Sequence, residues 1–165
     1  MINAVKNTTN QMSSVRKLTL SGVVIALYVC IMFFTQSFAF GQYQIRIATS
    51  IYSLSAIYPF LIVPLGLANF LSNTIMGGLG PLDMVGGAIV GIITAGSIYL
   101  IKKFNFNVWL IALPIIAFPS LIVPIWLSYL IHVPYTALVI SIGIGQIIPG
   151  IVGVLIVKSL SRILK

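Results

Sequence analysis

Long apolar runs dominate the chain, and polar residues interrupt them at only a few places. From Leu18 to Phe40 the sequence is almost wholly apolar, and the polar stretch Gly41-Gln-Tyr-Gln-Ile-Arg46 closes that run. A second uncharged run extends from Ile47 to Leu82. As one straight helix it would measure about 54 Å at ~1.5 Å per residue, against a hydrocarbon core of about 30 Å. Pro59 and Pro64 remove backbone donors and crowd the preceding turn, so the run is expected to fold as two helices joined near Tyr58–Pro64. Three further runs follow, over about residues 82–101, 108–130 and 134–158. The runs lack the two-residue alternation of barrel strands, so their backbones must be satisfied within helices. The pattern predicts an all-α integral membrane protein with six transmembrane helices.

Small and helix-breaking residues add detail. Gly22, Ala26 and Cys30 recur every four residues on the first helix, and Gly87, Gly91 and Ala95 do so on the fourth. Such stripes let another helix approach closely; on the first helix the neighbour is either part of the same chain or a partner subunit. Pro114, Pro119 and Pro124 predict a curved or broken fifth helix. Asn73-Thr-Ile-Met-Gly-Gly-Leu-Gly-Pro81 reads as a flexible loop ahead of Asp83.

Composition agrees with this reading. The 165 residues are 59% hydrophobic and 6% charged, and the mean hydropathy is +1.15, which excludes an ordinary soluble domain. Residues 1–15 read as a short polar cytoplasmic arm and 16–165 as a bundle, together a single membrane domain. The net charge of +8 comes from basic residues that cluster at Lys6/Arg16/Lys17, at Lys102/Lys103 and at Lys158/Arg162/Lys165. The positive-inside rule explains this distribution better than a nucleic-acid partner does. It places the N and C termini on the cytoplasmic side, as six passes require. Arg46, Asp83 and His132 then fall toward the outside, with Asn69 and Asn73 near them.

The chemistry available to the chain is sparse. One Asp, one His and no Glu supply neither paired carboxylates nor an HExxH metal site. A single cysteine, Cys30, allows no internal disulfide. No catalysis, no metal and no resident cofactor are expected, and any use of ATP needs another subunit. Arg46 is either a snorkelling interfacial residue or a ligand contact, and Asp83 either a helix cap or a ligand contact. Gln146, in mid-helix, needs a hydrogen-bond partner within the protein or on a ligand. His132 reads as a solvated interfacial imidazole, and Trp109 and Trp126 as members of an aromatic belt.

Phe40-Gly-Gln-Tyr-Gln-Ile-Arg46, Gly66-Leu-Ala-Asn69-Phe-Leu-Ser72 and Gly78-Leu-Gly-Pro-Leu-Asp83 followed by Gly86-Gly87 together resemble the QueT family. The resemblance is strongest over residues 40–91. It implies a substrate-binding S component of an energy-coupling factor (ECF) transporter in a prokaryotic plasma membrane. Such a component captures a queuosine precursor, a 7-deazaguanine, and is served by a transmembrane coupling subunit and two ATPase subunits. The family's first loop, Gly-x-x-Gln-x-Arg-x-x-Glu, is matched by Gly41, Gln44 and Arg46 but meets Thr49 at the glutamate, and a Gly-Glu pair of the last helix stands here as Gly145-Gln146. The resemblance implies substrate contacts at Gln42, Gln44, Arg46, Thr49, Asn69, Asn73, Asp83 and Gln146, and docking of the coupling subunit at Gly22 and Ala26. Loss of two carboxylates also leaves open a different vitamin or nucleobase as the ligand. A ligand-free structural membrane protein is the remaining alternative.

Overall fold

A computed structural model describes residues 12–41, 43–77 and 79–163. The elements are α1 (Ser14–Phe34), the short α2 (Gln36–Ala39), a 3-10 helix (Ile47–Ala56), α3 (Ile62–Ser72) running into a π turn (Asn73–Gly77), α4 (Pro81–Lys103), α5 (Ala112–Ile131) and α6 (Tyr135–Ile163). Single 3-10 turns at Pro59–Leu61 and Val108–Ile111 lead into α3 and α5. No strand occurs among the described residues.

Among the described residues, five helical stretches are long and apolar enough to cross a membrane: Ser14–Phe34, Pro59–Gly77, Pro81–Lys103, Val108–Ile131 and Tyr135–Ile163. Only 22–39% of each apolar window is buried within the protein, so most of the Leu, Ile, Val and Phe side chains point outward. The buried set, in contrast, includes Arg46, Thr49, Ser50, Asn69, Asn73, Asp83 and Gln146. Apolar surface outside and polar side chains inside is the arrangement that a lipid solvent selects. The chain is a multi-pass membrane protein.

The second of the expected helices is short and is wound as a 3-10 helix. Ile47–Ala56 is a ten-residue 3-10 helix, about 20 Å long at ~2.0 Å per residue, and therefore shorter than a full span. Its sequence explains the winding. Hydroxyls of Thr49, Ser50 and Ser55 bond the carbonyls of Arg46, Ile47 and Tyr52, each three residues back, at 2.7–2.8 Å. Those side-chain bonds reinforce the i to i−3 register in a stretch that also carries β-branched residues of low helix propensity. The element packs against all five long helices, so its irregular backbone is shielded from lipid by protein. The chain reverses at Ile57–Tyr58 and returns through α3, as the prolines imply.

Other boundaries also differ. The first helix stops at Phe34, with α2 continuing after a break at Thr35. The fifth runs unbroken through Pro119 and Pro124, where the Ser120 hydroxyl bonds the Ile116 carbonyl and the Tyr135 hydroxyl bonds the Leu121 carbonyl at 2.9 Å. These side-chain donors bond carbonyls one residue beyond Ile115 and Ser120, whose carbonyls the prolines leave without the usual helical donor.

The two small-residue stripes part company. On α4, Gly87, Gly91 and Ala95 are buried; a Cβ on Gly91 would lie 3.1 Å from the Tyr52 hydroxyl and 3.2 Å from Gly66 Cα. On α1, Gly22, Ala26 and Cys30 are exposed, and a Cβ on Gly22 meets nothing within 4 Å. Gly91→Val is therefore expected to cost about 1–3 kcal/mol through overpacking, and Gly22→Val less than about 0.5 kcal/mol. Thermal unfolding of the purified variants in detergent measures the difference; equal losses would show that the α1 stripe also packs internally.

Candidate functional site

Arg46 ends the polar loop after α2, and its side chain is buried. Nη1 donates to Asn69 Oδ1 at 3.4 Å and to Asn73 Oδ1 at 3.3 Å, and Nε donates to the Ala39 carbonyl at 3.4 Å. The guanidinium carbon also lies 4.9 Å from the centroid of the Phe40 ring, a cation–π geometry. Several long, weak contacts hold this charge. The two asparagines carry the network onward. Asn69 Nδ2 donates to the Tyr52 hydroxyl and to the Gly87 carbonyl, both at 2.8 Å, and Asn73 Nδ2 donates to the Asp83 main-chain carbonyl at 3.0 Å. Gly87 is required for this approach, since a Cβ there would lie 2.5 Å from Asn73 Nδ2. The polar ends of the 40–83 stretch therefore meet in space.

Asp83 sits in the first turn of α4, where the helix dipole favours a carboxylate. It does not cap the helix: the N-cap is Gly80, which provides no side-chain bond. Asp83 Oδ1 accepts from Trp126 Nε1 at 3.0 Å, while Oδ2 is buried without a hydrogen-bond partner.

A second cluster lies where the loop meets α6. Thr49 Oγ1 is 2.8 Å from Gln146 Oε1 and 2.7 Å from the Arg46 carbonyl, and its one proton serves either. Gln146 Nε2 donates to the Gln44 carbonyl at 3.0 Å. Gln44 takes a positive φ of 43°, and the loop passes so close to α6 that a Cβ on Gly145 would collide with the Tyr43 carbonyl oxygen. The two positions at which carboxylates are expected from the family pattern are thus direct hydrogen-bond partners. Two glutamates there would set like charges side by side; Thr49 and Gln146 form a neutral pair.

These side chains surround two spaces of unequal size. Gln44, Arg46, Thr49, Asn69 and Gln146 line an inner cavity of only about 10 Å³, room for no more than one water. A cleft of about 510 Å³ opens beside it, bounded by Phe40, Gly41, Gln44, Gly77 and Leu79 and by apolar side chains of α5 and α6. That volume lies within the range of small-molecule pockets. Gln44 borders both spaces.

Of the other expected contacts, Asn73 and Asp83 lie just behind the Gly77 wall of the cleft. Gln42 falls outside the described residues. His132 is exposed and caps α5 in a left-handed conformation, with φ 54°. Trp109 packs under Lys158, with Nζ 4.2 Å from the ring centroid. Two contributors carry no mark of their role in the sequence. Phe40 stands there as the end of an apolar run and the start of a motif, without a contact assigned to its ring, and Trp126 as one more belt aromatic whose link to Asp83 spans two helices and leaves no local signal. Among the described residues no three His, Cys, Asp or Glu side chains gather as a metal-ligand set.

The model of one sequence family, the QueT transporter family, matches residues 18–162. No curated protein and no solved structure matches significantly.

Asn69 holds the network together, with one acceptor on Arg46 and two donations elsewhere. Asn69→Leu leaves the guanidinium, the Tyr52 hydroxyl and the Gly87 carbonyl each short of a partner. It is expected to cost about 3 kcal/mol, read as a lowered thermal midpoint in detergent. Asn69→Asp, which keeps the acceptor facing Arg46, is expected to lose less.

Proposed function

Because the chain belongs to the QueT transporter family, we propose that it is the substrate-binding S component of an ECF importer in a prokaryotic plasma membrane. It takes a queuosine precursor of the 7-deazaguanine type from outside. A transmembrane coupling subunit and two ATPase subunits drive release inward, and the chain performs no chemistry of its own.

The observation that carries this reading is the position of the cleft. It lies at the end of the bundle where α4 begins, with Asp83 in the first turn, and where α1 and α2 deliver Phe40 and Arg46. Arg16 and Lys17 at the start of α1, Lys102 and Lys103 at the end of α4, and Lys158 and Arg162 near the end of α6 lie at the opposite end. Under the positive-inside rule that basic end is cytoplasmic, as are both termini, and the cleft opens outward. Counting the 3-10 helix as a short pass, the chain crosses six times within one membrane domain.

The substrate contacts are Gln42, Gln44, Arg46, Thr49, Asn69, Asn73, Asp83 and Gln146. The inner cavity holds no heterocycle as it stands, so substrate first occupies the cleft, and the turn at Tyr43 and Gln44 shifts to admit it to the amide cluster. Partner docking uses the outward face of α1 at Gly22 and Ala26, where close helix approach is unobstructed.

A second reading keeps the transporter and changes the ligand. The neutral Thr49–Gln146 pair offers weaker acceptors than glutamates to the adjacent N1–H and 2-amino donors of a deazaguanine, which favours a nucleobase or vitamin with a different edge.

Calorimetric titration of the purified protein with 7-deazaguanines, alongside copurification with coupling and ATPase subunits, tests the assignment. Binding and copurification are both expected, and the absence of both defeats it in favour of a ligand-free structural protein. Binding of another heterocycle alone selects the second reading. Gly22→Leu is expected to reduce copurification at least about tenfold while ligand affinity stays within about twofold of wild type.

A further inference from the structure

We infer that Asp83 Oδ2 is the acceptor for a primary ammonium group on the substrate, reached from the cleft past Gly77. This rests on reading the cleft as the substrate site and adds the chemical class of the group recognised there.

Asp83 is the single acidic residue of the chain, and it is buried to 3% exposure. One of its oxygens is satisfied by Trp126, and the other has no partner. A buried carboxylate oxygen left unpaired is costly, and the hydrogen bonds of Arg46 go to Asn69, Asn73 and the Ala39 carbonyl rather than to this oxygen. The free oxygen also has a direction. A Cβ built on Gly77 would lie 3.3 Å from Asp83 Oδ2 and 3.4 Å from Phe40 Cε1, and Gly77 and Phe40 both line the 510 Å³ cleft. Gly77 thus borders both the cleft and the oxygen, and it places no side chain beside Oδ2. The π turn that ends at Gly77 and the positive φ of 89° at Gly80 give that wall an irregular backbone rather than a regular helical one.

The partner that fits is a cationic donor. A hard metal ion needs about six oxygen ligands, and the apolar cleft walls supply few. A primary ammonium gives a charge-assisted bond to Oδ2 and two further donors for carbonyls around it. The flat body of the substrate lies along Phe40 and the apolar side chains of α5 and α6. Its acceptor edge faces Gln44, which also lines the cleft.

Two deazaguanines that differ only at this group separate the possibilities. The 7-aminomethyl compound carries an ammonium and the 7-cyano compound a nitrile. Titration of the wild-type protein in detergent is expected to show at least about tenfold tighter binding of the aminomethyl form, the scale of a charge-assisted bond. Asp83→Asn is expected to remove that preference. Gly77→Ala, which keeps the charge but places a methyl group in the path, is expected to reduce it and serves if Asp83→Asn does not fold. Equal wild-type affinity for the two compounds, or a preference that survives Asp83→Asn, overturns the inference. If neither deazaguanine binds, the substrate assignment fails separately, and thermal shifts with benzylamine against benzonitrile then probe the ammonium site alone. Stabilisation by the amine only, absent from Asp83→Asn, supports that site, and no such difference overturns it.

Discussion

A single buried guanidinium organises the upper half of this bundle. Arg46 stands at the start of the central 3-10 helix, and its donors reach two turns of the next membrane-spanning stretch at Asn69 and Asn73. Those amides are consumed in turn by α4, at the carbonyls of Gly87 and Asp83, and by the Tyr52 hydroxyl, itself 3.1 Å from Tyr28 on α1. An unpaired charge in this setting is far more costly than the sum of a few long hydrogen bonds suggests. Its demand for partners therefore fixes the register of α3 against α4 and ties both to α1. The loop that carries Arg46 cannot move without consequence for every one of these helices.

The same demand explains why the centre of the protein is a 3-10 helix. A polar core needs close approach on every side, and Ile47–Ala56 comes close to Gly91 and Gly153, where added Cβ atoms would lie 3.1 Å from the Tyr52 hydroxyl and 3.3 Å from the Ser50 carbonyl oxygen. The Thr49, Ser50 and Ser55 hydroxyls reach carbonyls three residues back, and those of Thr49 and Ser55 also lie within hydrogen-bond distance of Gln146 Oε1 and the Ala95 carbonyl, which ties the helix to α6 and α4. The lipid-facing helices then need only be apolar outside and small inside, which is how their sequences read.

Much of this is legible in the chain. Hydropathy marks five of the spans, Pro59 and Pro64 mark the reversal after the 3-10 helix, and the polar ends of residues 40–83 do meet. Other features depend on pairings that no window of sequence contains. Thr49, Ser50 and Ser55 look like ordinary tolerance for polarity until their bonds to carbonyls three residues back are seen to reinforce the winding. The stripes on α1 and α4 share one spacing, yet one is buried against Tyr52 and the other faces outward; spacing records that close approach is possible and not which neighbour uses it. Thr49 and Gln146 are 97 positions apart and lie within hydrogen-bond distance, so two positions that look independent in sequence are neighbours in space.

That pairing bears on how the site opens. With the neutral pair closed, Gln146 also holds the Gln44 carbonyl, and the loop lies over Gly145 with no room for a side chain between them. The inner cavity is thereby reduced to about 10 Å³, although its walls hold most of the amides able to read a ligand. A substrate that gains those amides must first displace neutral hydrogen bonds, each worth about 1 kcal/mol net, rather than separate a charged pair. Arg46, by contrast, has too many partners to leave. The physical division is thus between a fixed element, the guanidinium with its asparagines, and a releasable one, the Gln44 turn latched by Gln146. A cleft that already touches Gln44 and lies one glycine away from an unsatisfied carboxylate oxygen supplies contacts on both sides of that latch.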